Sequence, residues 1–168
     1  MRRTILASLC LSVVACSSQL QTRPELASLP NVSFHGSDRV GAGKLEPADI
    51  PKLAAGGIGT VIDLRDDSET PDFDEGAAVR AAGMRYQNLP IRGPQDLTAE
   101  NVRTFDALLR SAGNTPTLIH CASSNRVGAL MALRAGTLQG MSSEAAIELG
   151  KAWGLASLEP AVREQLAR

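Results

Sequence analysis

The chain has 168 residues, with 17 Lys and Arg against 18 Asp and Glu and a formal net charge of −1. That balance, with no basic block, excludes the electrostatic footprint that nucleic-acid binding needs. Three Phe, one Trp and one Tyr offer too few aromatic faces for a base-stacking platform.

Met1-Arg2-Arg3 is a short positive region, followed by an apolar stretch from Ile5 to Ala15 broken only by Ser8, Cys10 and Ser12. At about 11 residues it suits a signal-peptide core and falls well short of the roughly 20 that a spanning helix needs. It ends Val13-Val14-Ala15-Cys16, which resembles the lipobox of bacterial lipoproteins. The resemblance implies cleavage before Cys16 and a diacylglycerol on its thiol, each buried CH₂ adding roughly 0.8 kcal/mol of anchoring. Ser17 stands where an Asp would imply retention at the inner membrane, so the expected location is the periplasmic face of the outer membrane. Residues 1–15 therefore read as signal peptide, 16–31 as a polar tether with Pro24 and Pro30, and 32–168 as one α/β domain with a real core.

Processing removes Arg2 and Arg3 with no acid, which moves the net charge from −1 to −3. Cys10 leaves with the signal and Cys16 carries lipid, so Cys121 is the one free thiol and no internal disulfide is expected. Such a thiol is either buried and inert or kept for its chemistry.

From Val32 onward the pattern alternates short strands with helices. Val32 to Phe34 and Arg39 to Ala42 read as opening strands, and Pro47 starts a helix to Ala55, with Pro51 shortening it or shifting its start. Thr60 to Leu64 is a strand rich in β-branched residues. The acidic run Asp66 to Glu75 is a solvated loop entering a helix that Gly83 ends, and Met84 to Leu89 is a further strand. Ile91 to Leu97 is a loop; Thr98 caps a helix with Val102, Phe105, Leu108 and Leu109 at helical spacing. Pro116 to His120 is a buried strand, followed by helices over Val127–Leu138, Ser142–Trp153 and Ser157–Leu166, the last two opened by serine caps. The alternation predicts a small, largely parallel sheet flanked by helices. His35 has no motif around it and reads as structural.

The chemistry concentrates at the end of the last strand, in His120-Cys121-Ala122-Ser123-Ser124-Asn125-Arg126-Val127-Gly128. A loop curling into a helix N-terminus aims backbone N–H groups at one point, where the helix dipole adds positive potential. That field, with the Arg126 guanidinium, favours the thiolate of Cys121 over the thiol. The planar fork of Arg126 can hold two oxygens of a tetrahedral oxyanion.

The strand-His-Cys-loop-Arg-helix order resembles the cysteine-dependent phosphatases of the dual-specificity class. It is closer to their bacterial relatives, the beta-lactamase-hydrolase-like "phosphatase-like" domains. The resemblance extends over Gly43 to Asp49, Val61-Ile62-Asp63-Leu64-Arg65 with Glu69, Leu89-Pro90-Ile91, and His120 to Gly128. It implies that Cys121 attacks phosphorus, that Arg126 steadies the equatorial oxygens, and that Ala122, Ser123, Ser124 and Asn125 line the cradle. His120 would help set the cysteine's charge state.

The chain departs from that pattern in three places. Only four residues separate Cys121 from Arg126, a shorter loop similar to that of rhodanese-type sulfurtransferases. Ser124 replaces the usual glycine, with Asn125 available for positive φ. Val127 replaces the hydroxyl residue that assists the leaving thiolate, a part Ser123 or Ser124 would have to take. Asp96, 25 residues before Cys121, is the candidate general acid, although the family's Asp falls nearer Arg92 or Gly93. Arg65 and Glu69 are a candidate supporting ion pair. Three readings stay open: a phosphate-monoester hydrolase, a persulfide carrier or sulfurtransferase, and a non-catalytic anion-binding lipoprotein. The reading needs no cofactor and no metal, because no clustered His or Cys accompanies the acidic run. The expected protein is a monomer that meets a phosphorylated small molecule or protein.

Overall fold

The computed structural model describes residues 23–168. The expected signal peptide, Cys16 and the first part of the tether lie outside the described residues.

Five strands form one sheet: β1 (Ser33–His35), β2 (Arg39–Ala42), β3 (Thr60–Asp63), β4 (Arg85–Asn88) and β5 (Thr117–His120), in the order β1-β2-β5-β3-β4. Only β1 and β2 pair antiparallel; β2, β5, β3 and β4 run parallel. The expected largely parallel α/β architecture is the one observed. The last strand in the chain is thus the central one, and its C-terminal end opens on the edge of the sheet where parallel α/β folds place their ligands.

Side-chain alternation splits the core in two. Val61 and Leu118 join Val40, Leu53 and Val79 on the face covered by α1 (Ile50–Ala55) and α2 (Glu75–Ala81). Ile62, Ile119 and Cys121 join Phe105, Leu130 and Ile147 on the other face. That second face is covered by α3 (Ala99–Ala112), α4 (Asn125–Leu138), α5 (Ser143–Ala152) and α6 (Glu159–Leu166). Helix α3 buries Val102, Phe105 and Leu109 at the spacing read from sequence, and the Thr98 side chain accepts from Asn101 N.

Pro51 goes with a shifted helix start, one of its two expected effects: a 3₁₀ turn over Pro47–Asp49 precedes α1, which puts Pro51 in the first helical turn, where its missing N–H is an orphan anyway. Ser142 does cap α5, but Ser157 does not cap α6; Leu158 stands at that position and the Ser157 hydroxyl accepts from Asn125 Nδ2 at 2.7 Å. Residues 23–31 are not a free tether. Leu26 and Leu29 are buried against α1, Arg23 Nη1 donates to Gly56 O at 2.8 Å, and Gly43 N donates to Pro30 O. The domain therefore begins before residue 32. Leu26 lies so close over Gly56 that a Cβ there would meet its Cγ at 2.7 Å, a fit that two isolated leucines without periodicity do not advertise. His35 stacks on Trp153, with ring centroids 3.5 Å apart.

Helix α4 is buried along most of its length and crosses α5 at glycines. A Cβ on Gly128 would meet Leu155 N at 2.2 Å and Gly150 O at 2.5 Å, both backbone atoms that cannot swing aside. Gly128→Ala is expected to cost about 3 kcal/mol, at the upper end of ordinary overpacking. A urea melt measures it, and a loss under about 1 kcal/mol would show that the crossing yields.

Candidate active site

Cys121 follows the last residue of β5, and α4 starts four residues later, so the connecting loop must turn within Ala122, Ser123 and Ser124. Ser124 makes that turn with φ of +66°, the left-handed conformation usual for glycine. The expectation that Asn125 supplies the positive φ is corrected: Asn125 is the first residue of α4. Its Oδ1 accepts from Ala156 N at 2.8 Å and from Leu158 N at 3.3 Å, tying the loop to the start of α6. The buried Ser124 hydroxyl donates to Asn31 O at 3.3 Å. Gly154 permits this path, since a Cβ there would lie 2.6 Å from Ser124 Cβ.

The first intrahelical bond of α4 runs from Gly128 N to Ser124 O. The N–H groups of Asn125, Arg126 and Val127 ahead of it are therefore the orphan donors of a helix N-terminus. Cys121 N already donates to Ala42 O at 3.4 Å, and Ala122 O accepts from Lys44 N, so β2 braces the loop from one side.

Arg126 is held more firmly than a surface arginine at a helix start. Its Nη1 donates to Glu69 Oε1 at 2.6 Å and to Ile91 O at 2.9 Å, with Leu64 O at 3.3 Å, and its Nη2 donates to Glu69 Oε2 at 2.7 Å. The guanidinium pKa is raised, first by the Glu69 bond and also by the charge of Cys121 and a hydrogen bond to it. Glu69 is correspondingly lowered, chiefly by the bond from Arg126. Of the five N–H donors of an arginine, Glu69, Ile91 and Leu64 leave Nε–H and one Nη2–H, which remain for the Cys121 sulfur and an oxyanion. Cys121 itself is fully buried beneath the loop. The open cleft above, about 300 Å³, is bordered by Glu69, Arg92, Pro94, Ser123, Arg126 and Leu158.

The other expected residues fall as follows. Ala122 and Ser123 are exposed on the loop, as a cradle requires. Asp96 closes its own turn: Oδ2 accepts from Arg92 N at 2.7 Å, and its carbonyl accepts from Asn101 Nδ2. It does not border the cleft. The expected Arg65–Glu69 pair does not form; Glu69 belongs to Arg126, and Arg65 is drawn into a buried cluster on the opposite face of the sheet. His120 lies there too, so it is separated from any substrate by β5 itself, contrary to its expected place in the binding set.

That cluster is the feature missed in sequence. Asp63 and His120 are register partners on β3 and β5, and Glu75 enters from α2. Arg65 Nε and Nη2 donate to the Asp63 carboxylate at 3.1 and 3.2 Å, and Nη2 also reaches Glu75 Oε2. Tyr86 OH donates to Asp63 Oδ2 at 3.1 Å. His120 Nε2 lies 2.8 Å from Glu75 Oε1 and 3.6 Å from Asp63 Oδ1. Neither His120 Nε2 nor Glu75 Oε1 completes a hydrogen bond. One donor atom each from Asp63, Glu75 and His120 lie within 4.8 Å of one another, a spacing that could hold a metal ion. The cation between the two carboxylates here is the Arg65 guanidinium. Glu75 sits ten residues beyond Arg65 with no pattern linking them, and only the pairing of β3 with β5 brings His120 in.

Burial alone would raise the Asp63 carboxyl, but the His120 charge and the Arg65 bonds outweigh it, and the net direction is below the ordinary 3.8. The Tyr86 hydroxyl is pushed up, by burial first and then by Asp63 and Glu75. A depressed carboxyl contributes stability that is complete above its unfolded pKa and disappears as pH falls through the folded one. Urea melts should therefore show stability lost below about pH 4, with part of that dependence absent in Asp63→Asn. At neutral pH Asp63→Asn is expected to cost about 3–5 kcal/mol, because Arg65 loses a buried partner. Wild-type and variant melts with parallel acid dependence would contradict this.

Residues 33–137 match the family model described as "Beta-lactamase hydrolase-like protein, phosphatase-like domain". The chain is 34% identical over 96 residues to a beta-lactamase hydrolase-like protein of Agrobacterium fabrum, a match spanning 55% of this chain and only 22% of that relative. Among solved structures, a DUF442 protein from Shewanella putrefaciens CN-32 is similar at a TM-score of 0.69 and 23% identity, covering 87% of this chain and 97% of that one. Tk-PTP in its active form is similar at 0.62 and 19% identity, covering 83% and 98%. A Cys-to-Ser variant of P. aeruginosa TpbA in complex with pTyr is similar at 0.57 and 19%, covering 81% and 82%. The sheet, the loop and the matched residues together place this chain in the beta-lactamase hydrolase-like, phosphatase-like domain family.

Proposed function

We propose that this phosphatase-like domain is a cysteine-dependent hydrolase of phosphate monoesters, carried on a lipid anchor at Cys16 on the periplasmic face of the outer membrane. The observation that carries the reading is the guanidinium of Arg126, fixed by Glu69 and the Ile91 carbonyl and set against the Cys121 sulfur. Two donors left open on that fork, with the orphan N–H groups of α4, match the equatorial oxygens of a phosphoryl group. The similar TpbA structure is in complex with pTyr, which fits an oxyanion in this place.

In this reading the Cys121 thiolate attacks phosphorus, the bond to the ester oxygen breaks, and a cysteinyl phosphate forms. Water then cleaves the phosphorus–sulfur bond and returns the thiol. Arg126 and the loop amides stabilise the charge that spreads over the three non-bridging oxygens.

The full chain, offered p-nitrophenyl phosphate and thiosulfate in parallel, is expected to turn over the ester. Cys121→Ser should abolish the activity and Arg126→Lys should lower it by roughly 10²–10³. Thiosulfate turnover without ester hydrolysis would replace this reading with sulfur transfer, which the short loop also suits. No turnover of either would leave an anion-binding module. In the same cells Cys16→Ala should move the protein out of the membrane fraction; an unchanged distribution would rule out the anchor.

A further inference from the structure

Glu69 is the one carboxylate among the described residues that border the cleft, and the neighbouring Asp66, Asp96 and Glu159 are engaged elsewhere. Glu69 borders the cleft, but both its oxygens accept from Arg126. Asp66 accepts from Arg92 Nε and Nη2 at 2.9 and 2.6 Å and from Ser68 N and Oγ. Asp96 caps the Arg92 amide. Glu159, next to the lining residue Leu158, accepts from Arg163 at 2.8 Å and lies 3.6 Å from Lys151. The bonds from Arg126 and Arg163 hold the Glu69 and Glu159 carboxyls below their ordinary range, and Asp66 is drawn down to about 2, first by its bonds from Ser68. The first 22 residues contain no Asp or Glu, so the undescribed segment cannot supply one. Among the described residues, then, no carboxyl at the cleft is arranged to give a proton to a departing oxygen. Pro94 and Leu158 also line the cleft, apolar surfaces against which a flat ring or short acyl group can lie.

We propose that the substrates of this site carry phosphate on a weakly basic oxygen, an aryl or acyl phosphate, which leaves as a stable anion without a proton from the protein. The inference rests on the hydrolase reading above. When Cys121 displaces the group, the phosphorus–oxygen bond breaks and the oxygen keeps the electron pair, departing as phenolate or carboxylate and taking its proton from solvent. A phenol titrates near 10, whereas an alkoxide is far more basic, close to hydroxide itself. General acids ordinarily supply about 10²–10⁴ in rate, and alkyl esters forgo that help here.

The test is kcat/KM of the full chain across p-nitrophenyl phosphate, phenyl phosphate, acetyl phosphate and O-phosphoserine at one pH. The expected result is a fall of about 10²-fold or more from p-nitrophenyl to phenyl phosphate, efficient release from acetyl phosphate, and no measurable release from phosphoserine. Two results would overturn the proposal while sparing the hydrolase reading. One is a rate that differs by less than about threefold between the two aryl esters; the other is a loss of about 10²-fold in Asp66→Asn or Asp96→Asn confined to the poorer leaving group. No release from any of the four, acetyl phosphate included, would overturn the hydrolase reading and this inference with it.

Discussion

The guanidinium of Arg126 is where the separate parts of the domain meet. Its Nη1 takes the carbonyl of Ile91 beyond β4 and approaches that of Leu64 beyond β3, while both Nη atoms take Glu69 from the turn after β3. Its own helix begins at the loop that follows β5. A single planar group thus gathers the C-terminal ends of the parallel strands, and its remaining donors face the Cys121 side. The rigidity matters for chemistry because a donor already aimed at the developing charge needs no reorganisation when the reaction proceeds. The Glu69 pair is partly exposed, so its contribution lies in direction more than in stability.

The sheet keeps two kinds of electrostatics apart. On the face under α2, Asp63, Arg65, Glu75, His120 and Tyr86 form a buried set in which Arg65 and Tyr86 bond the carboxylates while His120 and one Glu75 oxygen complete no hydrogen bond. On the other face, Cys121 sits in an apolar core with Arg126 and the α4 amides above it. Consecutive residues therefore serve opposite faces: His120, the last residue of β5, lies against Asp63 of β3 and Glu75 of α2, and Cys121 meets the loop. Buried ion sets of this kind seldom add stability over apolar packing, yet losing one member is costly. That asymmetry ties the position of β5, and so of the thiol, to an intact cluster.

Much of this was legible in the sequence, and the parts that were not share a cause. Alternating strands and helices, the Thr98 and Ser142 caps and the placement of Cys121 and Arg126 at a strand-to-helix turn all follow from local pattern, and the fold bears them out. Ser124 in the left-handed conformation was not legible, because the strain is tolerated only where Gly154 leaves room beside it. Ser157 looked like a helix cap and instead meets Asn125, thirty-two residues away. Glu69 was visible as a charge, but its partner changed from Arg65 to Arg126, since pairing among charges is decided by strand order. Leu26 and Leu29 pack into the domain through a fit over Gly56 that has no period to read.

Oxyanion occupancy next to Cys121 is the claim on which the site depends, and alkylation of that thiol measures it directly. The rate of Cys121 modification by iodoacetamide in the full chain should fall when vanadate or phosphate is added, and Arg126→Ala should remove the protection. A rate indifferent to both oxyanions would contradict the cradle and leave the buried thiol as a packing residue of a phosphatase-like fold.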